Sequence, residues 1–427
     1  MSAFDNVIGF TDIKVELIRF CDVLRNMDKY KKLGVTLPRG ILLYGDPGIG
    51  KTMIAKSFIE ESGYKSFTVR KDKPDGDFVN EIRNTFDKAK KEPQAIVFLD
   101  DMDKFANEDE FHRDAEEYVA VQACIDECKG SGVFVLATAN DRYCMPDSLT
   151  RAGRFDKVIE MKCPEGEDAK KIISYFLSKK QIIGDVDLEE ISRLMEGHSC
   201  AELEAVINEA GIYAGFDRRD KVEQKDIIKA CMRMIFDAPE AVDMIDTKYL
   251  RHIAVHEAGH AVISEVLDPG SVSLVSVCHY SGDSEGVTVI RRPEDYKISK
   301  KAQEHEVIRK LGGKAATEMV FGTVDMGCKN DLYKAGDLVS EFVDGLCAFG
   351  FDSTEINRPS EYLQAKRDWR ISQEMARYYQ QAKEIIVENR GLLDVITKEL
   401  LEKKTLTYRD IKLLLNNHKY GQWNLET

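Results

Sequence analysis

No run of about 18 consecutive apolar residues occurs in this 427-residue chain, which excludes a bilayer-spanning helix within it. The opening Met1-Ser2-Ala3-Phe4-Asp5 lacks the basic and apolar segments of a secretory signal. Ten cysteines are scattered without a C-x-x-C pair, unlike the dense framework of a small secreted domain, so the expectation is reduced thiols and a soluble, cytoplasmic protein. Cys200, Cys278 and Cys328 lie near functional stretches and read as small buried apolar residues. Positive charge is also scarce. With 61 Lys and Arg against 75 Asp and Glu the formal net charge is −14, which argues against a nucleic-acid partner, and basic patches such as Lys297, Lys300 and Lys301 read as solvated surface. Neither a repeat nor a low-complexity tract is found. What is present, 43% hydrophobic and 32% charged residues, describes a globular protein with room for two or three domains.

From Phe10 to about Met161 amphipathic helices alternate with short apolar strands, the signature of a parallel sheet covered by helices. The strand candidates are Gly40–Tyr44, Ser66–Val69, Ala95–Leu99, Val133–Ala137 and Lys157–Met161. From Asp168 to about Phe236 strands disappear and stretches such as Ala201–Ala214 predict a small helical lid, closed by a boundary at Asp237-Ala238-Pro239-Glu240. The remainder reads as mainly helical, apart from the β-branched stretches Ser271–Cys278 and Gly286–Arg291, and Glu361–Leu415 reads as packed surface helices.

Strand Ile41–Tyr44 runs directly into Gly45-Asp46-Pro47-Gly48-Ile49-Gly50-Lys51-Thr52, and a helix opens at Met53. In such a loop glycines let backbone N–H groups curl around phosphates, the lysine reaches the β and γ oxygens, and the threonine binds magnesium at a helix terminus that favours negative charge. A second strand, Ala95–Leu99, ends in Asp100-Asp101, where one carboxylate suits magnesium and the next an attacking water. Val133–Ala137 leads to Asn140, an amide for the γ-phosphate, and Arg151 and Arg154 read as arginine fingers offered to a neighbouring subunit's nucleotide, which requires a ring. ATP and Mg2+ are the expected ligands.

A different chemistry is written into His256-Glu257-Ala258-Gly259-His260. At about 3.6 residues per turn the two histidines share one helix face, so both imidazoles reach one Zn2+ while Glu257 approaches a water. The flanking Ala254, Val255, Ala261, Val262 and Ile263 are too apolar for a solvated face, and buried polar groups need partners, which a metal supplies. Spacing leaves the third ligand open.

With both sites in view the chain resembles the FtsH family of ATP-dependent zinc proteases, an AAA+ ATPase joined to a zincin-like peptidase domain. The resemblance rests on an ordered set: Asn6-Val7-Ile8-Gly9, the phosphate loop, Asp100, Asn140, Arg151 with Arg154, Gly197-His198-Ser199-Cys200-Ala201-Glu202-Leu203, and His256 to His260. It implies an α/β AAA+ P-loop domain over 1–163, a parallel sheet with helices on both faces; a helical lid over 164–237; and a mainly α, zincin-like metallopeptidase domain over 238–427. It also implies Asp331 of Asn330-Asp331 as third zinc ligand, with Glu318 the rival, and Glu257 as the base, after a glycine-bearing helix at Leu311-Gly312-Gly313. A homo-oligomeric ring, a hexamer, acting on polypeptides follows from the same likeness.

Three departures bear on mechanism. Asp101 stands where the family has glutamate; Arg70–Asp77 replaces an aromatic-glycine pore loop; and the ATPase module begins within the first residues, whereas relatives carry transmembrane segments ahead of it. The expected activity is therefore ATP-dependent zinc endopeptidase, with a weakly coupled peptidase and a remodelling scaffold bearing structural zinc as the alternatives. Gly286–Ile290 reads equally as a peptide-binding edge strand or an internal strand.

Overall fold

The computed structural model of the protein describes residues 2–36, 38–71, 77–106, 115–151, 153–181, 186–238, 247–278, 286–293, 295–324, 326–351 and 360–423. Residues 72–76 of the expected pore-loop stretch and Pro239 and Glu240 of the expected boundary lie outside them. The elements run α1 (Thr11–Arg25), α2 (Met27–Lys32), β1 (Gly40–Tyr44), α3 (Lys51–Ser62), β2 (Lys65–Val69), α4 (Phe78–Ala89), β3 (Ala95–Leu99), α5 (Ala115–Glu127), β4 (Val133–Ala139) and β5 (Lys157–Glu160). Four helices follow: α6 (Gly166–Ser178), α7 (Leu188–Leu194), α8 (Cys200–Phe216) and α9 (Gln224–Ile235). The rest comprises α10 (Thr247–Leu267), β6 (Val272–Ser276), β7 (Val287–Ile290), α11 (Lys300–Lys310), α12 (Gly312–Phe321), α13 (Lys329–Asp344), α14 (Glu361–Glu388), α15 (Arg390–Lys403), β8 (Thr405–Thr407) and α16 (Tyr408–Trp423). These elements form two units, Met1–Leu188 with Met195–Glu223, and Glu189–Leu194 with Gln224–Thr427. Among the described residues no helix is long and apolar enough to cross a membrane.

The first unit is built on a parallel sheet of order β2-β3-β4-β1-β5. Its central strands are apolar runs because both faces are covered. Ile41 and Leu43 of β1 point into a layer with Leu17 and Phe58, and Leu42 points the other way, into a layer with Ile82, Phe86 and Val121. Parallel pairing brings the carboxyl ends of β1, β3 and β4 to one edge, where ligands of open α/β sheets bind. β4 runs two residues beyond the expected Ala137 because Thr138 and Ala139 pair with Leu43 and Tyr44.

The second unit centres on α10, whose Ala254, Val255, Ala258, Ala261, Val262 and Ile263 are all buried. Beside it lies an antiparallel sheet of order β7-β6-β8. Two strands were the expectation; the third, β8, interrupts the stretch read as helical over Glu361–Leu415. It has only three residues, too few for an alternating pattern to register. β6 is central and buried throughout, so among the described residues β7 is an edge strand and not the internal strand that was the other reading of Gly286–Ile290.

Candidate functional site

In the nucleotide-binding unit the phosphate loop joins β1 to α3 through Gly50, whose φ of 99° is the left-handed conformation that a side chain disfavours. Lys51 is buried, and its ammonium donates to the carbonyls of Gly45 (2.7 Å) and Asp46 (2.8 Å) and to Asn140 Oδ1 (2.9 Å). Burial pulls its pKa down, against the opposing charges of Asp101, Asp103, Asp46 and Asp100. Thr52 Oγ1 donates to Asp100 Oδ1 at 2.9 Å, so hydroxyl and carboxylate lie together as a hard-cation pair. Asp101 sits at φ 53° with its carboxylate 2.7 Å from Lys104 Nζ, and its N–H donates to Thr138 Oγ1.

Sequence reasoning missed two supports of this site. Asp103 accepts from both the N–H (3.1 Å) and the Nδ2 (3.2 Å) of Asn140 and so fixes the amide's direction. The amino end of α8 rests on the loop itself: the Ala201 N–H donates to Gly48 O at 3.0 Å, and Cys200 Sγ lies 3.5 Å from Ile49 O. Ile49 is buried, Asp46, Pro47 and Met53 are on the surface, and Arg151 is exposed. Arg154 is held within its own chain by Asp126 (2.7 Å) and the Ser148 carbonyl.

In the second unit α10 presents buried His256, Glu257 and His260. His256 Nε2 and His260 Nε2 are 3.0 Å apart, and Asp331 Oδ2, from the first turn of α13, lies 3.3 Å from the former and 3.1 Å from the latter. Two ligand atoms about 2.0–2.1 Å from a tetrahedral zinc are separated by about 3.3 Å, so this triangle has the edge of such a coordination shell. The protonation pattern agrees. His260 Nδ1 is 2.7 Å from the Arg309 carbonyl, in the last turn of α11, so Nδ1 carries the proton and Nε2 offers a lone pair. Lone pairs of His260 and the Asp331 carboxylate then face each other, an arrangement that a cation relieves. The donor set fits zinc.

Glycine makes the triangle possible. A Cβ on Gly259 would fall 2.5 Å from the Gly312 carbonyl, so α10 and α12 meet backbone to backbone, and a Cβ on Gly313 would strike the His256 ring at 2.3 Å. Thr288 of β7 donates to Glu257 Oε2 at 2.7 Å and aims that carboxylate into a cavity of about 660 Å³ that the histidines and Asp331 also line. The rival ligand Glu318 points elsewhere, bonded by Lys314 (2.8 Å), Lys383 (3.0 Å) and Tyr379. The glycine-bearing helix at Leu311-Gly312-Gly313 was expected from the family likeness, but Thr288 and the Arg309 carbonyl were not singled out from sequence for these roles, since neither belongs to a motif.

A phosphate-loop ATPase module followed by a helical metallopeptidase module is the class these geometries define. Comparison with known proteins gives the same order: residues 41–163 match the ATPase family associated with various cellular activities (AAA), 185–229 the AAA+ lid domain and 243–414 peptidase family M41. The ATP-dependent zinc metalloprotease FtsH of Aster yellows witches'-broom phytoplasma is 31% identical over 99% of this chain and 65% of its own length. Its namesake in Thermotoga maritima is 31% identical over 97% of this chain and 73% of its own, and that of Bacillus subtilis 28% identical over 97% and 70%. The chain belongs to the FtsH family of ATP-dependent zinc metalloproteases. It spans about two thirds of the length of these relatives.

Proposed function

We propose that the chain is an ATP-dependent zinc endopeptidase, with AAA+ subdomain, lid and metallopeptidase domain over 1–163, 164–237 and 238–427, acting on polypeptides as a homo-oligomeric ring, a hexamer. The observation that carries the reading is the convergence of His256, His260 and Asp331 on one point beside Glu257. His256, His260 and Asp331 hold the zinc, which supplies Lewis acidity toward a carbonyl and a water. Glu257 accepts the water's proton and delivers it to the leaving amine, and Thr288 keeps its carboxylate aimed. β7, an edge strand along the same cavity, binds an extended peptide by main-chain hydrogen bonds.

Thr52 and Asp100 hold magnesium, Lys51 and Asn140 the phosphates, Asp101 the attacking water, and Arg151 and Arg154 act across a subunit boundary. For Arg154 this requires leaving Asp126 on assembly, since its guanidinium is engaged there in the single chain. The test separates the two chemistries. Glu257→Gln abolishes peptide cleavage and spares ATP hydrolysis, Lys51→Ala does the reverse for a short unfolded peptide, and equal loss of both activities in either variant refutes the assignment.

A further inference from the structure

The cavity beside the two histidines carries more positive charge than its chemistry uses. Among its described lining residues the carboxylates are Glu257, Glu306 and Asp331, and the cations are Arg309, Lys310 and Lys334. Glu257 and Asp331 belong to the proposed reaction. Glu306 pairs with Arg309, a guanidinium only 1% exposed, at 3.0 Å, and Arg309 pairs on its other side with Asp268. Among the described residues Lys310 keeps only two long ion pairs and no hydrogen-bonded carboxylate, and Lys334 makes neither. The Lys310 ammonium lies 3.9 Å from Glu306 and 4.0 Å from Asp331 Oδ1, both beyond hydrogen-bond distance, and its side chain is 29% exposed. Lys334 is exposed, with no carboxylate within ion-pair distance among the described residues. It stands three residues after Asp331 and therefore on the same face of α13.

We propose that Lys310 and Lys334 form a carboxylate-binding subsite, so that the site prefers peptide bonds adjoined by an acidic group. This rests on the endopeptidase reading above. Even with Asp268 counted against Arg309 beside the three lining carboxylates, the three cations and a bound divalent ion leave the cavity net positive, and that ion draws on the Asp331 charge that Lys310 otherwise shares. Lys310 is 4.0 Å from a carboxylate whose other oxygen faces both imidazoles. An extended chain advances about 3.3–3.6 Å per residue, so a side chain adjoining the scissile bond reaches this ammonium. The low-dielectric walls formed by neighbours such as Val287 and Ile290 strengthen the attraction. The same chemistry is offered by an Asp or Glu side chain and by a free chain terminus.

The experiment uses the zinc-loaded full chain and fluorogenic peptides carrying Glu, Gln or Lys beside the cleaved bond, each with a free or an amidated carboxy terminus. Glu peptides are expected to exceed Gln peptides about tenfold in kcat/KM, mainly through KM, with the ratio shrinking as salt rises. A preference that follows the free terminus and ignores the internal Glu assigns the subsite to the terminal carboxylate. Fluorescence anisotropy with the Glu257→Gln chain gives the same order of affinities without turnover. Lys310→Met lowers the Glu to Gln ratio toward unity, and Lys334→Glu shifts preference toward Lys peptides at retained zinc stoichiometry, a gain that misfolding cannot produce. Equal handling of Glu and Gln peptides with either terminus, or a charge preference that survives Lys310→Met with Lys334→Met, overturns the subsite and leaves the endopeptidase reading standing. Failure of the zinc-loaded chain to cut any peptide overturns both.

Discussion

Gly313→Ala isolates the claim that backbone approach, and not ligand identity alone, shapes the metal centre. In an unhindered helix the change would stabilise by about 1 kcal/mol. Position 313 lies inside α12, but a Cβ there would sit 2.3 Å from His256 Cε1 and 2.5 Å from both ring nitrogens. Carbon contacts prefer about 3.5–4.0 Å, so the ring must retreat by more than about 1 Å. Moving α10 back with it would break the backbone-to-backbone packing of Gly259 on Gly312. Overpacking of this kind costs about 1–3 kcal/mol, and if it falls on the liganding rotamer the zinc affinity drops by about 5-fold to 150-fold. The metal-free fold, in which the ring is free to swing toward the cavity, recovers part of that through helix propensity. Chelator competition should therefore show the large effect and thermal unfolding of the metal-free chain a small one. Wild-type zinc affinity in the variant, or a loss of metal-free stability as large as the loss of affinity, refutes the reasoning.

Saturating zinc at a hundredfold over its Kd should stabilise the second unit by about 2.7 kcal/mol, and a chelator should remove that increment from the wild type but not from His260→Ala; an unchanged response in the variant sinks the ligand assignment. Glu318 has its pKa lowered to about 2, first by hydrogen bonds from Lys314, Tyr379 and Lys383. A depressed carboxyl stabilises the fold above its unfolded value near 4.5 and loses that contribution as pH falls toward 2. Glu318→Gln should thus cost about 1 kcal/mol at pH 7, solvent screening included, and nothing near pH 2; a penalty independent of pH would count against the ion cluster. Arg70 Nη1 lies 3.6 Å from Asp100 Oδ2, where it competes for the carboxylate proposed to hold magnesium. Arg70→Ala should tighten magnesium-nucleotide binding by up to about fivefold in a fluorescent-nucleotide titration, and weaker binding would show that Arg70 serves the phosphates instead.

The parts of both sites that were legible in the sequence are those whose chemistry imposes a local spacing. A loop must place its lysine and threonine at the start of a helix, and two imidazoles that share an ion must be one turn apart, so Gly45–Thr52 and His256–His260 are recognisable before any fold is known. The three central parallel strands were legible for a related reason: buried on both faces, they must be apolar runs. Asp331 is different. It reaches the histidines across 71 residues from His260, and only the family likeness singled it out over Glu318, which the fold instead surrounds with two lysines and a tyrosine. Thr288 and Asp103 aim functional side chains from other elements and carry no motif of their own. Harder still are contributions with no side chain to read. The Arg309 carbonyl selects the His260 tautomer whatever residue stands at 309, and Gly313 matters through the atom it lacks. A sequence displays ligand types at short spacing, whereas metal geometry is set by the approach of α10, α11 and α12, a property of backbones. That is why substitution at a glycine outside the histidine motif is the sharper probe of how this chain builds its centre.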